Sequence, residues 1–249
     1  MRKWSLVLLI SATIFCYGCV TVYNPATQKQ EYIFIDTKSE VSLGQNFSKQ
    51  IESEFKVSKD KDLLERVNRI GNNIAQFSDR KDLVYSFNVV EDKEINAFAL
   101  PGGFIYVHSA LLKITDDDEL AGVIAHEIGH VEARHSVKAM QAALGYNLFR
   151  TILFSKEEYA SAGQASDVLF NVMHLKYSRA DELQADKLSI KYAYLAGYDP
   201  ESMISFLNKL KQEEARKGGG EGILLLRSHP YINQRIAQAK EEINLLKTK

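Results

Sequence analysis

Cysteine is nearly absent: there are 2 in 249 residues, and both, Cys16 and Cys19, fall close to the N-terminus. A disulfide framework is excluded, so stability rests on core packing and on any bound metal. Excess charge is missing too. The 31 basic and 32 acidic residues leave a formal net charge of −1, and no long basic run occurs. Bulk electrostatics therefore argues for neither nucleic acid nor an anionic surface as the partner. The chain has no internal repeat and no composition shift that would mark a second domain. What is present is ordinary: 45% hydrophobic and 25% charged residues, in a length sufficient for one domain with a full core.

The N-terminus departs from this average. Arg2 and Lys3 precede an apolar stretch that ends near Tyr17. This is a charged region followed by a hydrophobic one too short for a comfortable membrane span. Gly18-Cys19 resembles the cleavage point of a bacterial lipoprotein signal, with Cys16 standing where leucine is usual. The resemblance makes residues 1–18 a signal peptide and Cys19 the lipidated first residue. Val20, rather than aspartate, follows the cysteine, which implies sorting to the outer membrane. A plain secretory signal and an uncleaved anchor are the alternatives. Residues 19–38, with Asn24-Pro25 and mixed polar side chains, read as a tether. Residues 39–249 read as a single domain.

Helical periodicity marks Ser39–Lys56 and Lys59–Phe77. Alternation marks a strand over Tyr85–Val90, and two further strands, Ile95–Leu100 and Phe104–His108, flank the turn Pro101-Gly102-Gly103. A helix begins near Asp116. Two strongly apolar helical segments, Met140–Phe154 and Ala160–Tyr177, form a hairpin that either packs in the core or serves as a lid or membrane-facing surface. More helices run over Ser178–Leu195, from Asp199-Pro200-Glu201 to the glycines at 218–220, and from Pro230 to about Leu246. The fold class is α+β and mainly helical.

The helix from Asp116 carries His126-Glu127-Ile128-Gly129-His130. Histidines four apart lie on one helix face, one turn apart. Two convergent imidazoles supply half of a tetrahedral zinc shell. Glu127, beside the first of them, can take a proton from water attacking a carbonyl. A third ligand is needed. His135 is one residue short of the third histidine in the longer H-E-x-x-H-x-x-G-x-x-H pattern, where Ser136 stands, and reads as structural. His174 sits among apolar residues, and His108 ends a strand without an obvious partner. Downstream, Glu182 and Asp186 are again four apart. Either Glu182 is the third ligand and Asp186 a hydrogen-bond acceptor for a ligand histidine, or the two mark a solvated acidic face. Spacing leaves both open.

The segments H-E-I-G-H-V-E-A-R-H-S, Y-S-R-A-D-E-L-Q-A-D and N-A-F-A-L-P-G-G-F-I-Y-V, in their order along the chain, resemble metallopeptidase family 48. The resemblance covers roughly Ser39 to the C-terminus. It implies a gluzincin-like domain holding one Zn²⁺ on His126, His130 and Glu182, with Glu127 as catalytic base and Asp186 behind the ligands. It implies that Asn96, Ala97 and Phe98 belong to an edge strand that pairs with extended substrate. Ser228-His229-Pro230 with Arg235 matches a further family element. His229 is then expected either to stabilise the oxyanion or to cap the metal and keep the enzyme latent, with Arg235 supporting the site. The implied activity is cleavage of unfolded or misassembled envelope proteins. A chaperone-like lipoprotein that binds clients without cleaving them is the alternative, and a lipoprotein whose zinc merely holds the fold is another.

Overall fold

The computed structural model describes residues 20–142, 176–216 and 223–248. Cys19, His174, the glycines 218–220 and most of the apolar hairpin expected between 140 and 177 lie outside the described residues. Among the described residues, no helix is long and apolar enough to cross a membrane.

The segment read as a tether contains an antiparallel hairpin, β1 (Val20–Asn24) and β2 (Lys29–Ile33). Local chemistry explains it. Asn24 Oδ1 accepts the Ala26 N–H at 2.9 Å and the Thr27 N–H at 3.3 Å, so the Asn-Pro pair opens a tight Asx turn rather than a flexible run. The strands alternate: Asn24 and Ile33 are buried against the body, while Tyr23 and Tyr32 face solvent.

Helix α1 (Thr37–Glu54) is capped by Asp36 and α2 (Lys61–Ala75) by Asp60, each side chain accepting first-turn amides. The three-stranded sheet comprises β3 (Ser86–Val90), β4 (Ala97–Leu100) and β5 (Phe104–His108). Its order is β3-β5-β4, with β5 parallel to β3 and antiparallel to β4, so among the described residues β4 is an edge strand. The Pro101–Gly103 turn joins β4 to β5. Gly102 has φ 78°, and a Cβ there would lie 2.7 Å from the Val41 Cα. Positive φ and the close approach of α1 both require glycine.

After the short α3 (Ser109–Ile114) comes α4 (Asp117–Glu132), started by a reciprocal capping box between Asp116 and Glu119. It is the central helix. Every residue from Glu119 to Glu132 is buried, because α2, β4, α5 (Arg179–Leu195) and α6 (Ser202–Arg216) surround it. Its C-terminus is tied to α1 by a buried carboxylate, Glu40, which lies 2.8 Å from Arg80 and 3.0 Å from Arg134. Helix α5 begins with a second capping box, between Ser178 and Asp181. The short α7 (Leu224–Ser228) leads through His229 into α8 (Ile232–Lys247), which starts two residues later than Pro230 implied.

One position sets the approach of α5 to α4. A Cβ on Gly129 would lie 2.8 Å from the Ala185 carbonyl oxygen and 3.0 Å from its Cα. Glycine in mid-helix costs about 0.5–1 kcal/mol relative to alanine. Here it lets the two backbones touch, which brings Glu182 over the histidines of α4.

Candidate active site

The mid-helix position of the motif puts His126 and His130 on the face of α4 that meets α5. Their Nε2 atoms are 3.0 Å apart. Glu182, on the first turns of α5, points back at them: its carboxylate is 3.5 Å from His130 Nε2 and 3.6 Å from His126 Nε2. His229, at the end of α7, completes the ring with Nδ1, 3.3 Å from His126 Nε2 and 3.1 Å from Glu182 Oε1. All four residues are buried, and one ligand atom from each fits within 4.8 Å of the others.

These separations test whether zinc fits. Zn–N and Zn–O bonds of about 2.0–2.1 Å in a tetrahedron set ligand atoms about 3.3–3.4 Å apart. The separations given above, 3.0–3.6 Å, scatter about that value, and one ligand atom from each of the four residues falls within 4.8 Å of the rest. Three imidazole nitrogens and a carboxylate suit Zn²⁺ in chemistry as well. The solvated-face reading of Glu182 and Asp186 is excluded by position, since both have 0% exposure.

The charges behind the ring are matched. Asp186 Oδ1 is 2.8 Å from His126 Nδ1, so it accepts that N–H and leaves Nε2 with its lone pair toward the centre. Arg235 grips Asp186 with two hydrogen bonds of 2.8 Å, and its Nη1 lies 2.9 Å from Glu182 Oε2. Burial alone would raise both carboxyls. For Glu182, His229 and Arg235 outweigh it and hold the group well below the usual range. For Asp186, Arg235 and His126 take it down to about 2. Burial pushes His130 down to about 4, keeping it neutral and able to bind metal. Burial also opposes charge on His229, but Glu182 and Glu127 raise it above its ordinary value.

Glu127 stands out. It is buried, yet neither carboxylate oxygen has a hydrogen-bond partner among the described residues. Oε1 is 3.8 Å from His229 Nε2. Buried carboxylate oxygens without partners are costly, and a water held at the site would satisfy them.

The other expected site residues fall nearby. Asn96 precedes β4 and gives its carbonyl to the His108 N–H at 3.0 Å. Ala97 and Phe98 lie on the edge strand beside α4, with Phe98 stacked on Tyr106 at 5.3 Å. His108 is away from the ring, its Nδ1 3.1 Å from the Glu94 carbonyl. Two contributors were not expected from the sequence. Tyr177 lays its ring on His130 at 4.0 Å, and its N–H donates to the Ser228 carbonyl at 3.2 Å. His135 is no ligand, but its Nδ1 is 2.9 Å from His130 Nδ1. The aromatic residue just before the α5 cap was the signal for the first; nothing periodic marked the second.

The chain is similar in sequence to several known proteins. The beta-barrel assembly-enhancing protease of Yersinia pestis is 30% identical over 219 residues, 84% of this chain and 44% of the relative. That of Escherichia coli K12 is 28% identical over 220 residues, with the same coverage. The chain thus spans less than half the length of these relatives. The metalloprotease LoiP of Escherichia coli K12 is 29% identical over 181 residues, 71% of this chain and 68% of the relative. The model of peptidase family M48 matches residues 62–243. That span contains α4, α5 and His229 with their metal-competent ring, so the chain belongs to peptidase family M48.

Proposed function

We propose that this chain is an endopeptidase of the bacterial envelope that cleaves unfolded or misassembled proteins, with His126, His130 and Glu182 as zinc ligands and Glu127 as the base. The observation that carries the assignment is Glu127, with two buried, unpartnered oxygens beside the three ligands. Zinc supplies a Lewis acid and lowers the pKa of a water at the site. Glu127 takes the proton from the attacking water and returns it to the leaving amine. Asp186 and Arg235 hold His126 and Glu182 in place throughout.

Substrate class follows from β4. Its position at the sheet edge, beside α4, supports addition of an extended peptide as a further strand along Asn96, Ala97 and Phe98. Only a chain with unpaired backbone can bind this way, which selects unfolded segments and open strand edges. The names of the beta-barrel assembly-enhancing relatives agree with beta-barrel proteins as clients. Lipidation at Cys19 would keep the enzyme at the outer membrane, close to such clients.

His229 takes a fourth corner of the donor ring, where a substrate carbonyl would have to enter. The geometry supports the capping role over the oxyanion role: His229 must withdraw before cleavage. The functional assignment is tested by comparing wild type with Glu127→Gln on casein or an unfolded barrel protein. Loss of cleavage with zinc retained is expected. Cleavage at the wild-type rate by Glu127→Gln would remove the assigned base, and client protection without cleavage by wild type would favour the chaperone-like alternative.

A further inference from the structure

His126 and His130 are held by different devices. His126 leans on a carboxylate, Asp186, whereas His130 leans on a neutral side chain, His135, with 2.9 Å between the two Nδ1 atoms. For His130 to present the Nε2 lone pair to a metal, its proton must sit on Nδ1. His135 Nδ1 must then accept, which places the His135 proton on Nε2. That nitrogen is 3.3 Å from Gln184 Oε1 and 3.5 Å from Asp181 Oδ1, both acceptors. The Gln184 oxygen takes a second hydrogen bond, 3.0 Å long, from Asn24 Nδ2 on the N-terminal hairpin. Asn24 Nδ2 also donates to Glu31 Oε1 at 2.8 Å, and Glu31 in turn pairs with Lys138.

Every donor in this series points the same way. Asn24 and His135 both donate to one oxygen, so Gln184 presents its carbonyl inward. If Gln184 offered its amide instead, it would set N–H groups against both Asn24 Nδ2 and His135 Nε2, leaving Asp181 Oδ1, 3.5 Å away, as the acceptor for the His135 proton. Asn24 and His135 are both almost fully buried, so water is poorly placed to repair a reversed series.

We propose that Asn24, Gln184 and His135 form a directed hydrogen-bond series that fixes the tautomer and tilt of His130, making the N-terminal hairpin a positioning part of the zinc site. The proposal rests on His130 as a ligand. It gives residues just after Cys19 a role beyond tethering: β1 starts at Val20, and the fifth residue of the strand is Asn24.

The test uses full-length protein, Zn²⁺ and Co²⁺. Asn24→Asp keeps the oxygen that accepts from Ala26 and Thr27, so the turn survives, but it donates nothing to Gln184 and sets a carboxylate against Glu31. His135→Phe keeps a ring and removes the acceptor. Tyr32→Ser, on the outer face of the same hairpin, is the control. Zinc affinity by chelator competition should fall about 10–100-fold in His135→Phe, and in the same direction in Asn24→Asp. The Co²⁺ absorption spectrum should shift in both and not in Tyr32→Ser. Adding Asn24→Asp to His135→Phe should cost no further affinity, because the first acts only through the second. Folded Asn24→Asp and His135→Phe proteins with wild-type zinc affinity and spectrum would overturn the proposal, as would full additivity of the pair. If Asn24→Asp loses the hairpin, His135→Phe decides alone. A wild type that binds no zinc would instead defeat the ligand assignment.

Discussion

Gly129→Ala adds one methyl group at a close backbone contact between the helices that carry His126, His130 and Glu182. The new Cβ would lie 2.8 Å from the Ala185 carbonyl oxygen and 3.0 Å from the Ala185 Cα. Carbon contacts are comfortable at about 3.5–4.0 Å, so the backbones must separate by about 0.5–1 Å. Neither contact is a flexible side chain that could turn aside. Overpacking of this kind costs about 1–3 kcal/mol, against a gain of about 0.5–1 kcal/mol from removing a helical glycine. Net destabilisation is therefore modest, and the protein should still fold. The site is less forgiving, because zinc–ligand distances are held within about 0.2 Å. A shift of α5 by several times that tolerance withdraws Glu182, which sits less than one helical turn from Ala185. The prediction is a protein with near-normal circular dichroism and a melting temperature lowered by a few degrees, but with zinc affinity and proteolysis strongly reduced. Gly129→Ala that binds zinc as tightly as wild type would refute the claim that this contact sets the ligand geometry.

Replacing His229 by alanine should raise the basal rate on casein, since the residue filling a fourth corner is removed; an unchanged rate would dispose of the capping and oxyanion roles together. Arg235→Leu leaves Glu182 and Asp186 buried without their cation. Breaking a buried pair costs about 3–5 kcal/mol, so urea unfolding should show a large loss in the chelator-treated protein. The loss should be smaller with zinc present, because ligation compensates Glu182. Equal losses with and without zinc would contradict the coupling of Arg235 to the ligand carboxylate.

Much of the site was legible because its parts are local and repeat at helical spacing. His126 and His130, and Glu182 and Asp186, are each four residues apart on helices that the sequence starts near Asp116 and at Ser178. The turn glycines between β4 and β5 were legible for the same reason. What was hidden depends on pairs distant in sequence. Asn24 and Gln184 are 160 positions apart, and no periodicity joins them, so the hairpin read as a tether and His135 as merely structural. Gly129 was visible as part of the motif, yet its purpose appears only once Ala185 is seen against it. His229 was located by family resemblance, and its place inside the donor ring came from the fold. Cys19, read from the sequence as a lipidation site, lies outside the described residues.

The central claim is that α4 and α5 together hold one zinc ion through His126, His130 and Glu182. Metal content of purified wild type and Glu182→Ala, measured side by side after dialysis, tests it most directly. One equivalent of zinc in wild type and a near-total loss in the variant, with the helical content unchanged, is the predicted result. Full zinc occupancy in Glu182→Ala, or none in wild type, would contradict it.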